Sequence, residues 1–239
     1  NLYYTVTVGY EYTGVGGAQV KPARGWRATD GPWDELLRGL AGMWQMTDGS
    51  GTVVADSSGH GRHGTASGVT WVAGPSGWAQ SYAAANATVT LPADLAALLV
   101  PTADYTIHVR ARTAQATDGY LVACTDGTDI QAAIWSDAGV PTLTAGGNSC
   151  VGTHLLTDNL WHSITAVVAA GTATLYFDGA SVSSVAAGAT ASGVDVRIGT
   201  RNPGADDWDG EVDHVAIWSR ALSASEVRRL HEQPPWMVG

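Results

Sequence analysis

The stretch Asp209-Gly-Glu-Val-Asp-His-Val-Ala-Ile-Trp-Ser-Arg-Ala-Leu-Ser-Ala-Ser-Glu-Val-Arg-Arg-Leu230 lies close to the end of the chain and decides the fold. It predicts a turn, a strand and a capped helix. Side chains alternate along a strand, which places Val212, His214, Ala216 and Trp218 on one face and Glu211, Asp213, Val215 and Ile217 on the other. The S-x-x-E spacing of Ser223 and Glu226 is that of a capping box, and the short helix it opens carries Val227 and Leu230 on one side.

Asp213 is the unusual residue of this strand. Its predicted face also carries Val215 and Ile217, and a carboxylate on a buried face needs a hydrogen-bond donor or a metal ion.

The composition narrows the classes of protein. Of the 239 residues, 45% are hydrophobic and only 14% are charged, which suits short strands joined by tight turns. The net charge is −10 and Lys21 is the single lysine, which argues against nucleic acid and anionic membranes as partners. No apolar run is long enough for a transmembrane helix. The chain begins at Asn1 without a visible signal peptide, which leaves open whether a leader has been removed. Cys124 and Cys150 could form one disulfide or remain thiols.

Short alternating runs continue along most of the chain, and the Asp178-Gly179 turn between two of them predicts a hairpin. We expect strands at 41–47, 52–55, 69–72, 79–83, 87–91, 105–112, 119–124, 129–135, 141–145, 161–169, 172–177, 181–185 and 194–198, with a helical turn at 92–99. So many strands with so little helix predict an all-β protein, an antiparallel sandwich of two sheets.

The first residues stand outside this pattern. A β-branched and aromatic run opens the chain at 1–12 and leads into a glycine-rich segment. Residues 1–38 therefore predict an N-terminal strand arm, which needs a partner strand in the domain or in a neighbouring subunit. The main domain is expected at 39–232 and a tail at 233–239.

Three stretches resemble one known family. They are Gly39-Leu-Ala-Gly-Met-Trp-Gln-Met-Thr-Asp-Gly-Ser-Gly-Thr52 with Ala55-Asp-Ser-Ser-Gly-His-Gly-Arg-His-Gly-Thr65, Leu160-Trp-His-Ser-Ile-Thr-Ala-Val-Val168 with Thr174-Leu-Tyr-Phe-Asp-Gly-Ala180, and Trp208–Ser223. In this order they are similar to the opening, the central strands and the closing strand and helix of laminin-G-type, concanavalin A-like jelly-roll domains. The resemblance implies a jelly-roll fold over residues 39–232.

The family implies binding or structural roles more often than catalysis. Its members occur in secreted carbohydrate-active proteins, adhesins and bacteriophage virion surface proteins, and Lys21-Pro22 is similar to the segment that leads into the phage-type domains. We expect a non-catalytic virion or decoration component that docks through its arm onto capsid or tail proteins or onto a sister subunit. The alternative is a secreted carbohydrate-binding or adhesion module.

The family resemblance also implies structural calcium, often held where the first loop meets the last strand. Asp56 opens a glycine- and serine-rich loop that offers carbonyl oxygens, and Asp213 supplies a second carboxylate. The alternative is that Asp56 caps its own turn and Asp213 accepts backbone N–H groups.

Related jelly rolls include glucanases, which carry E-x-D-x-x-E on one strand so that a bulge brings nucleophile and acid to the same face. Here Glu211 and Asp213 match, but Ala216 stands where the second glutamate belongs. Without that proton donor the sequence predicts no glycoside hydrolysis.

A sugar ligand would stack on exposed aromatic rings. We expect Trp135, Trp208 and Trp218, which lie at strand ends or turns, to be the candidates, whereas Trp44, Trp71 and Trp161 fit core positions.

Overall fold

The computed structural model describes residues 34–126, 128–191, 193–202 and 206–232. The strands are β1 Leu40–Trp44, β2 Val53–Val54, β3 Gly64–Ser67, β4 Thr70–Gly74, β5 Gly77–Ser81, β6 Thr88–Leu91, β7 Tyr105–Arg112, β8 Gly119–Thr125, β9 Ile130–Asp137, β10 Val140–Ala145, β11 Asn148–Val151, β12 His162–Ala169, β13 Thr172–Phe177, β14 Ala180–Ala186, β15 Asp195–Ile198 and β16 Glu211–Trp218. The helices are α1 Asp34–Leu37 and α2 Ala224–Glu232, and a 3₁₀ helix spans Ala93–Leu98.

The strands form two antiparallel sheets of eight strands each. Sheet A has the order β14-β13-β12-β7-β16-β5-β4, with β1 also pairing with β16, and sheet B has the order β11-β10-β9-β8-β15-β6-β3-β2. The predicted jelly-roll sandwich with a short C-terminal helix is confirmed. Residues 1–33 of the predicted arm at 1–38, and the predicted tail at 233–239, lie outside the described residues.

The main core lies between the two sheets. Alternate residues of sheet A, such as Ile107 and Val109, meet those of sheet B, such as Leu121 and Ile134, and all four are fully buried. Because alternation is strict along most strands, the next residues on each strand face away from the core. Two outer sheet faces therefore remain.

A β-bulge in β16 breaks the alternation that the sequence predicted. Val212 pairs with Ala111 and His214 pairs with Arg110, so Asp213 is an extra residue on this strand. As a result Val212 points into the main core with Val215 and Ile217, instead of sharing a face with His214. The predicted face assignment of Val212 and Asp213 was wrong, because a bulge depends on the partner strand as well as on the strand itself.

The outer face of sheet A is covered by the helices. Trp218 donates a hydrogen bond from its indole nitrogen to the carbonyl oxygen of Leu36 in α1, at 2.6 Å. Leu36 and Leu230 of α2 bury their side chains in the same cluster as Trp218. Residues 34–37 thus pack on the domain, within the segment that we assigned to the arm.

The predicted capping box is confirmed at the start of α2. The amide of Glu226 donates to Ser223 Oγ at 3.3 Å, and the amide of Ser223 donates to Glu226 Oε2 at 2.7 Å. The pKa of Glu226 lies below its usual value, since bonds from Arg220 and Ser223 outweigh the effect of burial, which raises it.

The strand order also places the cysteines. Cys124 lies in β8 and Cys150 in β11, with β9 and β10 between them, and both are free and buried. Three strand spacings of about 4.8 Å put the two backbones roughly 14 Å apart, beyond the reach of a disulfide. Burial raises the pKa of the Cys124 thiol to about 12.

Among the described residues, no helix is long and apolar enough to cross a membrane.

Candidate functional site

The outer face of sheet B carries a half-buried tryptophan, Trp135. In β9 the side chains of Ala132 and Ile134 enter the main core, so Ala133 and Trp135 face outward. Neither α1 nor α2 belongs to the cluster on this side, because both pack against sheet A. The outer face of sheet B therefore keeps part of an indole ring open to solvent.

Small side chains lie beneath this ring. Ala123, Ala133 and Thr142 are 0% exposed although they face away from the core. The Trp135 indole nitrogen donates to Thr144 Oγ1 at 3.0 Å, two residues beyond its register partner Thr142. This bond holds the indole over the sheet, where it shields the small residues from water.

Tyr120 is 5% exposed and supports the Trp135 ring from one side. It pairs with Trp135 in register, and their rings stack with centroids 5.4 Å apart and an interplanar angle of 11°. The guanidinium of Arg201 lies 5.6 Å from the centre of the Tyr120 ring. We call Trp135, Tyr120 and the small residues beneath them the platform.

Tyr120 was not among the expected site residues, but its position has a signal in the sequence. The turn at residues 126–129 joins β8 to β9, and Asp126 donates its amide to the carbonyl oxygen of Asp129. If residues are paired one by one outward from this turn, Tyr120 falls opposite Trp135. The hairpin has two register shifts, but they have opposite directions, so this simple pairing still holds at Tyr120.

Trp208 and Trp218, the other two candidates for sugar stacking, are each 1% exposed. Trp208 belongs to the main core and Trp218 to the cluster under the helices. Neither ring can be reached by a ligand, which corrects the expectation that they form a stacking surface. Of the three predicted tryptophans, the structure leaves Trp135 at an accessible position.

Asp56 caps its own loop. Its Oδ1 accepts hydrogen bonds from the amides of Met43 and Ser58, at 3.0 and 2.8 Å. Its Oδ2 accepts from Ser58 Oγ and from the amide of Arg62, at 2.8 and 2.9 Å. Burial raises the pKa of Asp56, but these bonds outweigh it and hold the pKa below its usual value.

Asp213 is fully buried and is bonded within the same sheet. It accepts from the amide and hydroxyl of Ser76, in the turn between β4 and β5, at 3.1 and 3.0 Å. His214 donates from Nδ1 to Asp213 Oδ2 at 2.8 Å, and Arg110 lies 3.9 Å from that oxygen. These donors satisfy a buried charge that would otherwise be costly.

The two carboxylates predicted for calcium thus have separate sets of partners. Among the residues that the structure describes, no three His, Cys, Asp or Glu side chains are grouped as a metal site would need. The oxygens of Asp56 and Asp213 are engaged by N–H and O–H donors, a donor set that fits capping better than it fits Ca²⁺. Calcium stays a prediction.

His214 continues into a buried chain of hydrogen bonds. Its Nε2 lies 3.1 Å from Nε2 of His108, whose Nδ1 lies 2.8 Å from Thr165 Oγ1. Burial, the largest cause, lowers the pKa of both histidines, and for His108 it acts together with the neighbouring His214. Both rings are therefore neutral, and a single proton lies between the two Nε2 atoms.

Glu211 lies at the end of sheet A in an ion pair. Arg112 donates from Nε and Nη2 to the two carboxylate oxygens of Glu211, at 2.8 and 3.0 Å. The guanidinium also lies 5.1 Å from the centre of the Trp161 ring. This pair borders an open cavity of about 340 Å³ that also involves Gln115 and Asn159.

The sequence matches a family model described as the concanavalin A-like lectin/glucanases superfamily over residues 81–228, which is more than half of the chain. The chain belongs to this family. No curated protein matches the sequence closely enough to count as a relative.

Solved structures share the fold. The binding domain of Paraclostridial Mosquitocidal Protein 1 superposes with a TM-score of 0.66 at 19% identity, over 82% of this chain and 52% of that one. Domain 4 of AbnA, an extracellular GH43 arabinanase from Geobacillus stearothermophilus, in complex with arabinotriose, gives 0.63 at 17% identity, over 81% and 98%. The binding domain of Botulinum Neurotoxin DC in complex with SialylT gives 0.66 at 10% identity, over 83% and 52%. The chain thus spans about half the length of the two toxin structures and nearly all of the AbnA domain.

Proposed function

We propose that this protein is a non-catalytic carbohydrate-binding module whose ligand rests on the platform. The observation that carries the proposal is the Trp135 ring, half-buried over small side chains on the outer face of sheet B. A sugar ring presents apolar C–H groups on its faces and hydroxyl groups at its edge. The flat indole can contact the C–H groups, and the polar residues around it can bond to the hydroxyl groups. Because the indole ring is already fixed before binding, it loses little conformational entropy when a ligand binds.

The comparisons support this proposal through what the similar proteins bind. The AbnA domain holds arabinotriose and the botulinum domain holds SialylT. The AbnA domain is also close to this chain in extent. Because the arabinanase is extracellular, we further propose that the present protein acts outside the cell.

The geometry of β16 supports a role without catalysis. The bulge at Asp213 lies where the glucanase pattern has one, but Ala216 offers no acid. Asp213 is 0% exposed and bonded to Ser76 and His214, and Glu211 is paired with Arg112. A general acid must reach the leaving group, and no side chain at this strand is placed to do so.

The expected role as a virion component stays a prediction. It depends on docking of residues 1–38 onto capsid or tail proteins or a sister subunit, and residues 1–33 lie outside the described part of the chain.

The test is a glycan array, followed by titration calorimetry with the glycans that bind. Replacing a central tryptophan of a binding site by alanine typically costs about 2 kcal/mol or more, so Trp135→Ala should weaken binding by roughly thirtyfold. Trp135→Phe, which keeps a ring, should lose less. Circular dichroism checks that each variant is folded.

Trp78→Ala is the matched control. Trp78 is 44% exposed and lies on β5 of sheet A, away from the platform, so its loss should leave glycan affinity unchanged. The proposal fails if the protein binds no glycan, or if a folded Trp135→Ala variant binds as tightly as the original protein. Turnover of a bound glycan that Glu211→Gln abolishes would overturn the non-catalytic assignment.

A further inference from the structure

Two arginines lie on the outer face of sheet B, and both are already paired. Arg201, above the Tyr120 ring, lies 3.0 Å from Asp206 Oδ2. Arg197 is the register partner of Ala123 and lies 3.1 Å from Asp195 Oδ2. Each arginine charge is thus already balanced by a neighbouring aspartate, so a ligand carboxylate would gain less from it than from an unpaired arginine.

Carboxylates also border the platform at its other end. Asp137 is two residues beyond Trp135 on β9 and therefore shares its face. Asp118 directly precedes Gly119, which pairs with Ser136, and its Oδ1 accepts a hydrogen bond from the amide of Ala138 at 3.0 Å. These two aspartates thus lie together at the adjoining ends of β8 and β9.

The charges of these aspartates and arginines also act on Tyr120 in the platform. Burial raises the pKa of the Tyr120 hydroxyl, and the carboxylates Asp206, Asp118 and Asp137 raise it further, while Arg201 opposes them. Four aspartates and two arginines therefore leave the surroundings of the two rings with an excess of negative charge.

We propose that the platform takes neutral glycans and discriminates against glycans that carry an acidic sugar. This inference rests on the proposed function. Ionised aspartates are hydrogen-bond acceptors only, and the hydroxyl groups of a neutral sugar are donors that suit them. A sugar carboxylate in the same place meets like charge, and the two arginines are engaged with Asp206 and Asp195.

The size of the discrimination follows from Coulomb's law. Two excess negative charges at about 9 Å from a ligand carboxylate, in a medium close to water, weaken binding roughly fivefold at low salt. The effect should shrink as salt is raised, since the screening length falls to about 8 Å at physiological ionic strength.

The test uses matched glycan pairs on one array and in calorimetry. One pair is a galactose-terminated oligosaccharide with and without a sialic acid cap, and another is polygalacturonate with and without methyl esterification. We expect the neutral member of each bound pair to bind roughly fivefold more tightly at low salt. Asp118→Asn with Asp137→Asn should narrow that gap, whereas Asp104→Asn, beside β12 in sheet A, should not change it.

Each outcome decides the inference. Tighter or equal binding of the acidic members that is lost in Trp135→Ala overturns the neutral preference and leaves the proposed function standing. A gap that Asp118→Asn with Asp137→Asn does not narrow also overturns it. Failure of every pair to bind overturns the proposed function and the inference together.

Discussion

Acidification should destabilise this protein through the buried pair His108 and His214. Both rings are 1% exposed, and their Nε2 atoms lie 3.1 Å apart with one proton between them. In the unfolded chain each histidine has its usual pKa of about 6.5, so it takes up a proton when the pH falls below that value. In the folded protein burial holds the pKa of both lower, so the folded state binds fewer protons.

The sign follows from linkage, since stability rises with pH wherever the unfolded state binds more protons. The charged groups that face His108 and His214 do not reverse this sign. Asp213 favours the charged form of His214, but Arg110 opposes it for both rings, and His231 of α2 opposes it for His108. Stability is therefore complete above about pH 6.5 and is lost as the pH falls below that value.

The unfolded chain binds a proton at a histidine with a pKa of about 6.5. At pH 5, a histidine that stays neutral in the folded protein therefore lowers the free energy of unfolding by about 2 kcal/mol. For a chain of this length, each kcal/mol lowers the melting temperature by about 2–4 °C. One histidine thus predicts a fall of about 4–8 °C between pH 7.5 and pH 5, and the second adds to it. Asp56 and Glu226, whose pKa values are also lowered, act mainly below pH 5 because their usual values are 3.8 and 4.5.

Differential scanning calorimetry from pH 7.5 to 5.0 measures this dependence. His108→Gln removes one titrating ring and should flatten the slope, even if it lowers the melting temperature at every pH. His154→Gln, at an exposed position, is the matched control and should keep the original slope. A melting temperature that is constant over this range, or a His108→Gln slope equal to that of the original protein, would refute the reasoning.

Three further experiments test the Asp56 loop, the calcium prediction and the cysteines. Asp56→Ala removes the acceptor for four hydrogen bonds and should cost about 2 kcal/mol or more in urea unfolding, while Asp56→Asn should cost less. Dialysis against EDTA should leave the melting temperature of the original protein unchanged, and a drop on chelation would favour the calcium prediction instead. A thiol reagent should find Cys124 and Cys150 unreactive in the folded protein and should titrate two thiols after unfolding; two missing thiols would contradict the strand order.

The fold could largely be predicted because its signals are local. Alternation over Glu211–Trp218 predicted β16 with its correct ends, and the Asp178-Gly179 turn predicted the hairpin of β13 and β14. Both turn residues have positive φ, 46° and 80°, which this type of tight turn requires. The predicted helical turn at 92–99 is the 3₁₀ helix Ala93–Leu98.

The elements that were missed lack such signals. Strand β3, Gly64–Ser67, consists of small residues that read as a continuation of the preceding loop, and it becomes a strand because β6 pairs with it. Trp208 follows a turn-like acidic sequence, yet its ring is buried, because Gly210 leaves room for it: a Cβ there would lie 2.9 Å from the indole. Tertiary contacts decide both the formation of β3 and the burial of Trp208, and the local sequence of a single segment does not reveal such contacts.

The candidate site also depends on tertiary contacts, because these decide which of the two sheets has its outer face covered by helices. Strands of both sheets alternate alike, so the sequence makes Trp135 of sheet B and Trp218 of sheet A equal candidates. In the structure α1 and α2 close over Trp218, and Leu36 accepts its indole hydrogen bond. Those helices leave the face around Trp135 without such a cover, so the same residue type is a core side chain in one sheet and a partly exposed one in the other. The short segment 34–37 and the capped helix α2 therefore determine which of these two tryptophans stays accessible to solvent.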